Sequence, residues 1–296
     1  MSDKSLSTEH RGQPPIWRAL KERLFLLVCL GSTGFGLLAL AALTYGLVSE
    51  GWSVLSWDFI TAFPSRFADK AGIYAALVGT LWLMVITAFF TVPLGVGTAI
   101  YLEEFAAKSR ITRLIQVNIT NLAGVPSIVY GLLGLAIFVR TMHLGRSLLA
   151  GALTMSLLIL PVVITSAQEA LRAVPHTYRE ASLAVGATRW ETVRNHVLPQ
   201  ALPGMLTGII LGLSRAIGET APLITIGALG YVAGLPRGPL DSFTVMPIQI
   251  YNWASMPQKE FHADAAGAIL VLMAVLILFN GTAIYMRQVA RKRLGS

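Results

Sequence analysis

The apolar positions of this chain gather in long unbroken runs rather than in stripes. Leu24–Val48, Ile73–Leu102, Leu114–Val139, Ser147–Gln168 and Ala265–Met286 contain no Asp, Glu, Lys or Arg. Ala201–Val232 is apolar except for Arg215 and Glu219. A helix that crosses a bilayer needs about 20 apolar residues, because roughly 1.5 Å of rise per residue must cover about 30 Å of hydrocarbon. Each run meets that length. Backbone groups in lipid must bond within their own segment, which selects helices or closed barrels, and the every-second-residue alternation of barrel strands is absent. The pattern predicts an all-α polytopic membrane protein with six transmembrane helices.

The first run could be confused with a secretory leader, since Lys21 and Arg23 precede it and Ala39-Leu40-Ala41 resembles a cleavage site. It continues past that triplet to Val48, longer than a leader's apolar stretch of about 7–15 residues. A retained helix is expected at 24–48, after a tail at 1–23. The remaining spans form one transmembrane domain at 73–286, followed by a tail at 287–296.

Composition agrees: 54% of residues are hydrophobic and 13% are charged, against about 25% charged in soluble proteins. This excludes a disordered chain and a nucleic-acid-binding domain, and nucleic acid is not an expected partner; the lipid bilayer is. The single cysteine, Cys29, excludes a disulfide framework and a cysteine metal site, and the five histidines show no ligand spacing. The net charge of +8 reads as topology. Sixteen Lys and Arg fall in the two tails and in segments 103–113 and 169–200, against six in 49–72, 140–146 and 233–264. The positive-inside rule then places both termini in the cytoplasm. Trp52, Trp57 and Trp253 flank spans on the outward side and read as interfacial anchors. Glu103 and Glu104, with Lys108, Arg110 and Arg113, read as a solvated cytoplasmic loop.

Segment 168–204, QEALRAVPHTYREASLAVGATRWETVRNHVLPQALPG, carries the most specific pattern. Its apolar residues recur with helical spacing, Pro175 interrupts the first helix, Gly186 marks a stop, and Pro199 and Pro203 bracket the return to the membrane. Two short amphipathic helices joined by a turn are expected. Periodicity alone equally fits a helix lying on lipid headgroups. Glu180-Ala181-Ser182, three residues, Gly186, and then Leu198-Pro199 resemble the EAA signature of permease subunits of bacterial ABC importers. Ser182 stands where Ala is usual and His196 where Ile is usual, with the spacing kept. The resemblance implies a coupling loop at 169–200 that docks on a separate cytoplasmic ATPase, with small Ala181 and Ser182 allowing close approach and Gly186 the turn. The chain has no G-x-x-x-x-G-K-[ST] phosphate loop. No cofactor is therefore expected on this chain, and ATP and Mg belong to the ATPase.

Arg215 and Glu219 are the only acid and base inside any span, and a lone Arg near a helix centre costs roughly 2.5–3.5 kcal/mol on insertion scales. Their i, i+4 spacing predicts one helical face on which they can pair. Two readings follow: a self-neutralised pair that locks helices, or a substrate site whose guanidinium fork suits a tetrahedral oxyanion. In the second, Glu219 orients or balances Arg215, Thr220 adds a hydroxyl, and Pro222 frees a backbone carbonyl. Gly208, Gly212 and Gly218 offer thin surfaces for a neighbouring helix. Asn118, Asn121, Ser127 and Tyr130 in the third span either line a pathway or serve helix–helix hydrogen bonds.

LSRAIGETAPL (213–223), VPLGVGTAIYLEEF (92–105), NLAGVPSIVYGLLGL (121–135) and FTVMPIQIYNW (243–253) resemble phosphate-specific ABC importer permeases of the PstA type. Sulfate and molybdate permeases carry an analogous R-x-x-G-E, usually followed by Phe. The resemblance runs from about 73 to 286 and implies a type I importer permease fold and transport of inorganic phosphate. It also implies a PstC-type sister permease, two ATPase copies and an extracytoplasmic phosphate-binding protein. Two other classes compete. An intramembrane enzyme needs a nucleophile with a base, and Ser214 has no His or Lys in any span to serve it. A membrane assembly protein leaves the EAA spacing unexplained.

Overall fold

The computed structural model describes residues 16–228, 232 and 234–294. The first fifteen residues of the expected N-terminal tail, residues 229–231 of the run ending at Val232 and the last two residues of the C-terminal tail lie outside them. The chain divides into two compact units, up to Ser49 and from Glu50. The first is carried by a single helix, α1 (Ile16–Gly51), whose apolar side chains, Leu24, Phe25, Leu38 and Leu43 among them, are exposed.

The second unit is also helical, with no strand among its described residues. Its elements are α2 (Trp57–Thr61), α3 (Tyr74–Ile100), α4 (Arg110–Leu122), α5 (Ser127–Gly134), α6 (Leu148–Arg172), α7 (His176–Ala184), α8 (Arg189–Thr192), α9 (Leu198–Ile217), α10 (Ala221–Ile226), α11 (Met246–Ala254) and α12 (Lys259–Leu294). Among the described residues, five stretches are long and apolar enough to cross a membrane: Leu20–Gly51, Tyr74–Phe105, Leu148–Arg172, Arg189–Ile217 and Lys259–Val289. A sixth exists only if the bent pair Arg110–Leu122 and Ser127–Thr141 counts as one.

That pair corrects the expected straight span at Leu114–Val139, for its two helices differ in direction by 106°. The cause is local. Pro126 has no N–H to give and disfavours helical backbone at Val125, so the helix stops at Leu122 and restarts at Ser127. Buried Tyr130 closes the corner by donating its hydroxyl to the Leu122 carbonyl at 2.8 Å. Of the polar residues in this run, Asn118 bonds its own helix at the Leu114 carbonyl, and Tyr130 serves the bend. Beyond the corner, α4 is held by Gln116, which exchanges amide hydrogen bonds of 2.9 and 2.8 Å with the buried Gln168 of α6.

Helix α6 is the axis of the unit, packed between α3 and α9. Leu83, Met84, Met155, Ile159, Val163 and Leu213 share one buried cluster, and Ala99, Ala167, Leu171, Val197 and Met205 share another toward the Arg172 end. Small residues set the spacing. A side chain at Gly95 would meet Val163 at 2.7 Å and one at Gly204 would meet Ala170 at 2.9 Å, so α3 and α9 approach α6 closely, as expected where dispersion rather than water drives helix association. Gly208 and Gly212 also face α6, at Ser166 and Val163. Gly218 packs against no helix; it ends α9 instead. Trp253 is likewise not an interfacial anchor. It is buried between Phe59 and Phe261, with ring centroids 6.0 and 6.4 Å away, whereas Trp52 and Trp57 are exposed.

Candidate functional site

Two places answer to the sequence motifs, at opposite ends of one long helix. The Arg189–Ile217 stretch is helical throughout, through α8, a π turn at Val193–Val197 and α9. The π turn has a plain origin: Pro199 lacks the N–H that would bond the Asn195 carbonyl, and the Leu198 N–H instead reaches Val193, five residues back. Leu198 and Pro199 therefore sit half-buried inside a continuous helix.

At the far end, α9 stops just beyond Arg215. Gly218 caps it, its N–H reaching the Arg215 carbonyl at 3.3 Å, and the next helix begins only at Ala221. Pro222 explains the break, since its ring denies the Gly218 carbonyl its helical partner. This corrects the expected continuous span to Val232 and the expected shared face, because Glu219 lies in the break rather than one turn along the same helix. Among the described residues, neither Arg215 nor Glu219 forms an ion pair or a side-chain hydrogen bond. Arg215 is exposed, while Glu219 and Thr220 are half-buried. The Thr220 carbonyl accepts the N–H groups of Leu223 and Ile224, both at 3.1 Å, starting α10.

The orientation of Arg215 follows from its neighbours. Leu213, Ala216 and Ile217 are buried against the bundle, so the Arg215 side of the helix points away from it. Ser214 lies 2.7 Å from the Ile210 carbonyl and 2.5 Å from Asn280 Oδ1 on α12, and Arg287 donates to Thr207 at 3.1 Å. These contacts fix the rotation of α9. A cation in the last turn of a helix also faces the negative end of its dipole. The arrangement presents an exposed guanidinium with its donors unused, on a helix whose rotation is fixed, able to take a planar or tetrahedral oxyanion.

At the other end lie the EAA residues. Helix α6 ends at Arg172, Pro175 precedes α7, and α7 carries Glu180, Ala181 and Ser182. The chain then reverses at Gly186, whose φ of +89° is one that residues with a Cβ rarely adopt. Thr188 and Glu191 form a reciprocal capping box that starts α8. Glu180, Ala181 and Gly186 are exposed, together with Tyr178, Leu183, Trp190 and Val185, the last at 85%. Ser182 is not part of that surface. It is buried, 3.0 Å from the Thr192 hydroxyl, and ties α7 to α8.

The expected solvated loop at Glu103 and Glu104 is corrected most. Both acids sit in a π turn that extends α3 (Tyr101–Phe105), Glu103 holding the end of α6 and Glu104 holding α7. Glu103 bonds Arg172 at 2.6 Å, and Glu104 bonds Arg179 at 2.6 Å. Arg179 also donates to the carbonyls of Val174 and Leu171 at 2.9 and 3.0 Å, and this second pair is largely buried. The available signal was that α3 ends in two acids and α6 in Arg172, both at the cytoplasmic side on the charge rule. Among the described residues no group of His, Cys, Asp and Glu is placed to hold a metal.

Known proteins match this arrangement. A protein-family model described as the binding-protein-dependent transport system inner membrane component matches residues 91–294. Phosphate transport system permease protein PstA 1 of Mycobacterium tuberculosis is 34% identical over 95% of this chain and 95% of its own length. A probable ABC transporter permease protein, YqgI of Bacillus subtilis, is 34% identical over 88% of this chain and 95% of its own. Among solved structures, a chain of a bacterial alginate ABC transporter in complex with its periplasmic protein superposes with a TM-score of 0.69, covering 93% of this chain and 98% of that one at 17% identity. That last likeness speaks for the type I importer permease fold. The protein spans the membrane several times, and it belongs to the binding-protein-dependent transport system inner membrane component family.

Proposed function

We propose that this chain is the permease subunit of an ATP-binding-cassette importer that carries inorganic phosphate across the cytoplasmic membrane, with both termini inside. The observation that carries the reading is the unbridged guanidinium of Arg215 at one end of a helix whose other end is the EAA segment. Phosphate as its anion is supported by the PstA-type relatives, which match almost the whole chain. The remaining members are a PstC-type sister permease, two cytoplasmic ATPase copies that hydrolyse ATP with Mg, and an extracytoplasmic phosphate-binding protein.

In this reading, Glu180, Ala181, Gly186 and the exposed apolar residues around them form the ATPase-docking face. The 29-residue helix Arg189–Ile217 is about 40 Å long at 1.5 Å per residue. It carries motion from that face to Arg215, opening the pathway alternately to either side. Arg215 holds the anion, while Glu219 and Thr220 stand at the helix break beside it. The test is uptake of radiolabelled phosphate by the reconstituted complex with sulfate or molybdate as competitor. ATP-dependent phosphate uptake that excess sulfate leaves unchanged supports the reading. Uptake of sulfate or molybdate in place of phosphate refutes the substrate, and absence of any ATP-dependent uptake refutes the transport role.

A further inference from the structure

Away from both motifs, α2, the turn at Ala68–Lys70 and the start of α12 enclose a cleft of about 540 Å³. Four carboxylates line it, Asp58, Asp69, Glu260 and Asp264, against a single cation, Lys70. None of the five forms an ion pair among the described residues. Asp264 is the informative one. It is only 3% exposed, and its Oδ2 has no hydrogen-bond partner. A buried carboxylate oxygen left unmatched is costly, so such a group is built to receive a donor from elsewhere. A bare metal ion is not the donor that fits, because among the described residues no group of three or more His, Cys, Asp or Glu is placed to hold one. An extended cation fits better: an apolar stem lying along Phe59, with its charged head at Asp264.

On the topology proposed above, segments 49–72 and 233–264 face outward, away from the ATPase. We infer that this cleft is a socket for a Lys or Arg side chain of the extracytoplasmic binding protein. The inference rests on the importer reading and names a point of contact for one of its partners. Electrostatic complementarity at such a contact sets encounter rate and register, so it should be sensitive to salt.

The test uses the complete complex in lipid nanodiscs, titrated with its phosphate-loaded binding protein while ATPase stimulation is followed. Asp264→Asn should raise the half-saturating concentration of binding protein about tenfold, with the difference shrinking at high salt. The double variant Asp58→Asn/Glu260→Gln alters only exposed residues and should shift it in the same direction, which keeps the test informative if Asp264→Asn does not assemble. Half-saturation equal to wild type in the double variant overturns the socket. So does loss of the sister permease from the purified double variant, or a wild-type half-saturation that moves with calcium at constant ionic strength and fixed Mg-ATP. If the importer reading itself is wrong, the wild-type complex shows no stimulation by the binding protein at all. A wrong socket instead leaves wild type stimulated and the variants indistinguishable from it.

Discussion

The Arg215 side chain leaves α9 in its last turn, on the side opposite buried Leu213 and Ile217. Its charge is permanent and its donors lie in a plane, so it can grip two oxygens of one anion at once. Arg215→Gln keeps much of the length and loses the charge; phosphate uptake should fall to background while the complex still purifies whole. Arg215→Lys keeps the charge but not the fork. Hydrogen bonds to charged groups are worth about 1.5–3 kcal/mol each, so losing one of two should lower uptake by roughly 10- to 100-fold. Wild-type uptake in the Gln variant would remove Arg215 from the pathway. Gly186 poses a purely backbone question, since an added Cβ there meets nothing within 4 Å. The cost of substitution is then the positive φ alone, about 1–2 kcal/mol for most residues and less for Asn. ATPase co-purification should rank Gly, then Asn, then Val at this position, and an inverted order would show that the turn is not what the docking face requires.

Helix α7 is held to the bundle by Glu104, at the end of the α3 segment, through Arg179. Because that pair is largely buried, removing one partner strands the other charge and costs more than the bond itself. Glu104→Ala should therefore leave the ATPase bound to the exposed face but loosen what the face pushes on. The expected result is ATP hydrolysis that continues with phosphate uptake reduced at least tenfold, measured as phosphate carried per ATP consumed. An unchanged ratio would rule out a coupling role for the clamp. This element also marks how far sequence reading reaches. The EAA spacing is local, so the α7–turn–α8 unit was legible from Pro175 and Gly186. Apolar runs likewise announced the spans. Run length, however, does not carry axis direction, so the corner at Ala123–Pro126 and the break at Gly218–Thr220 read as continuous membrane helix. Both were signalled only by a proline whose effect depends on what satisfies the freed carbonyl. The Glu104–Arg179 contact joins residues 75 positions apart and appears only once α3 lies on α6.

Across the whole second unit, the proposed docking face and the proposed anion site are joined by one piece of helix, and its continuity is itself testable. Leu211 is exposed, lies between the two ends and belongs to neither. Leu211→Pro removes the N–H that bonds the Thr207 carbonyl and sets the proline ring against that turn, at a cost of about 3 kcal/mol within a helix. The buried face of α9 lies on the opposite side from Leu211, at Ile209, Leu213 and Ala216, and should hold the segment in place. If motion at the docking face reaches Arg215 through a rigid rod, a kink at Leu211 absorbs it. The complex should assemble and hydrolyse ATP, yet phosphate uptake should fall at least tenfold, whereas Leu211→Ala, which leaves the backbone intact, should transport like wild type. A Leu211→Pro complex that still assembles and carries phosphate at the wild-type rate per ATP would mean that the stroke reaches the anion site by another route. The α3 segment, clamped to α7 at one end and packed along α6, would then be the element to interrupt.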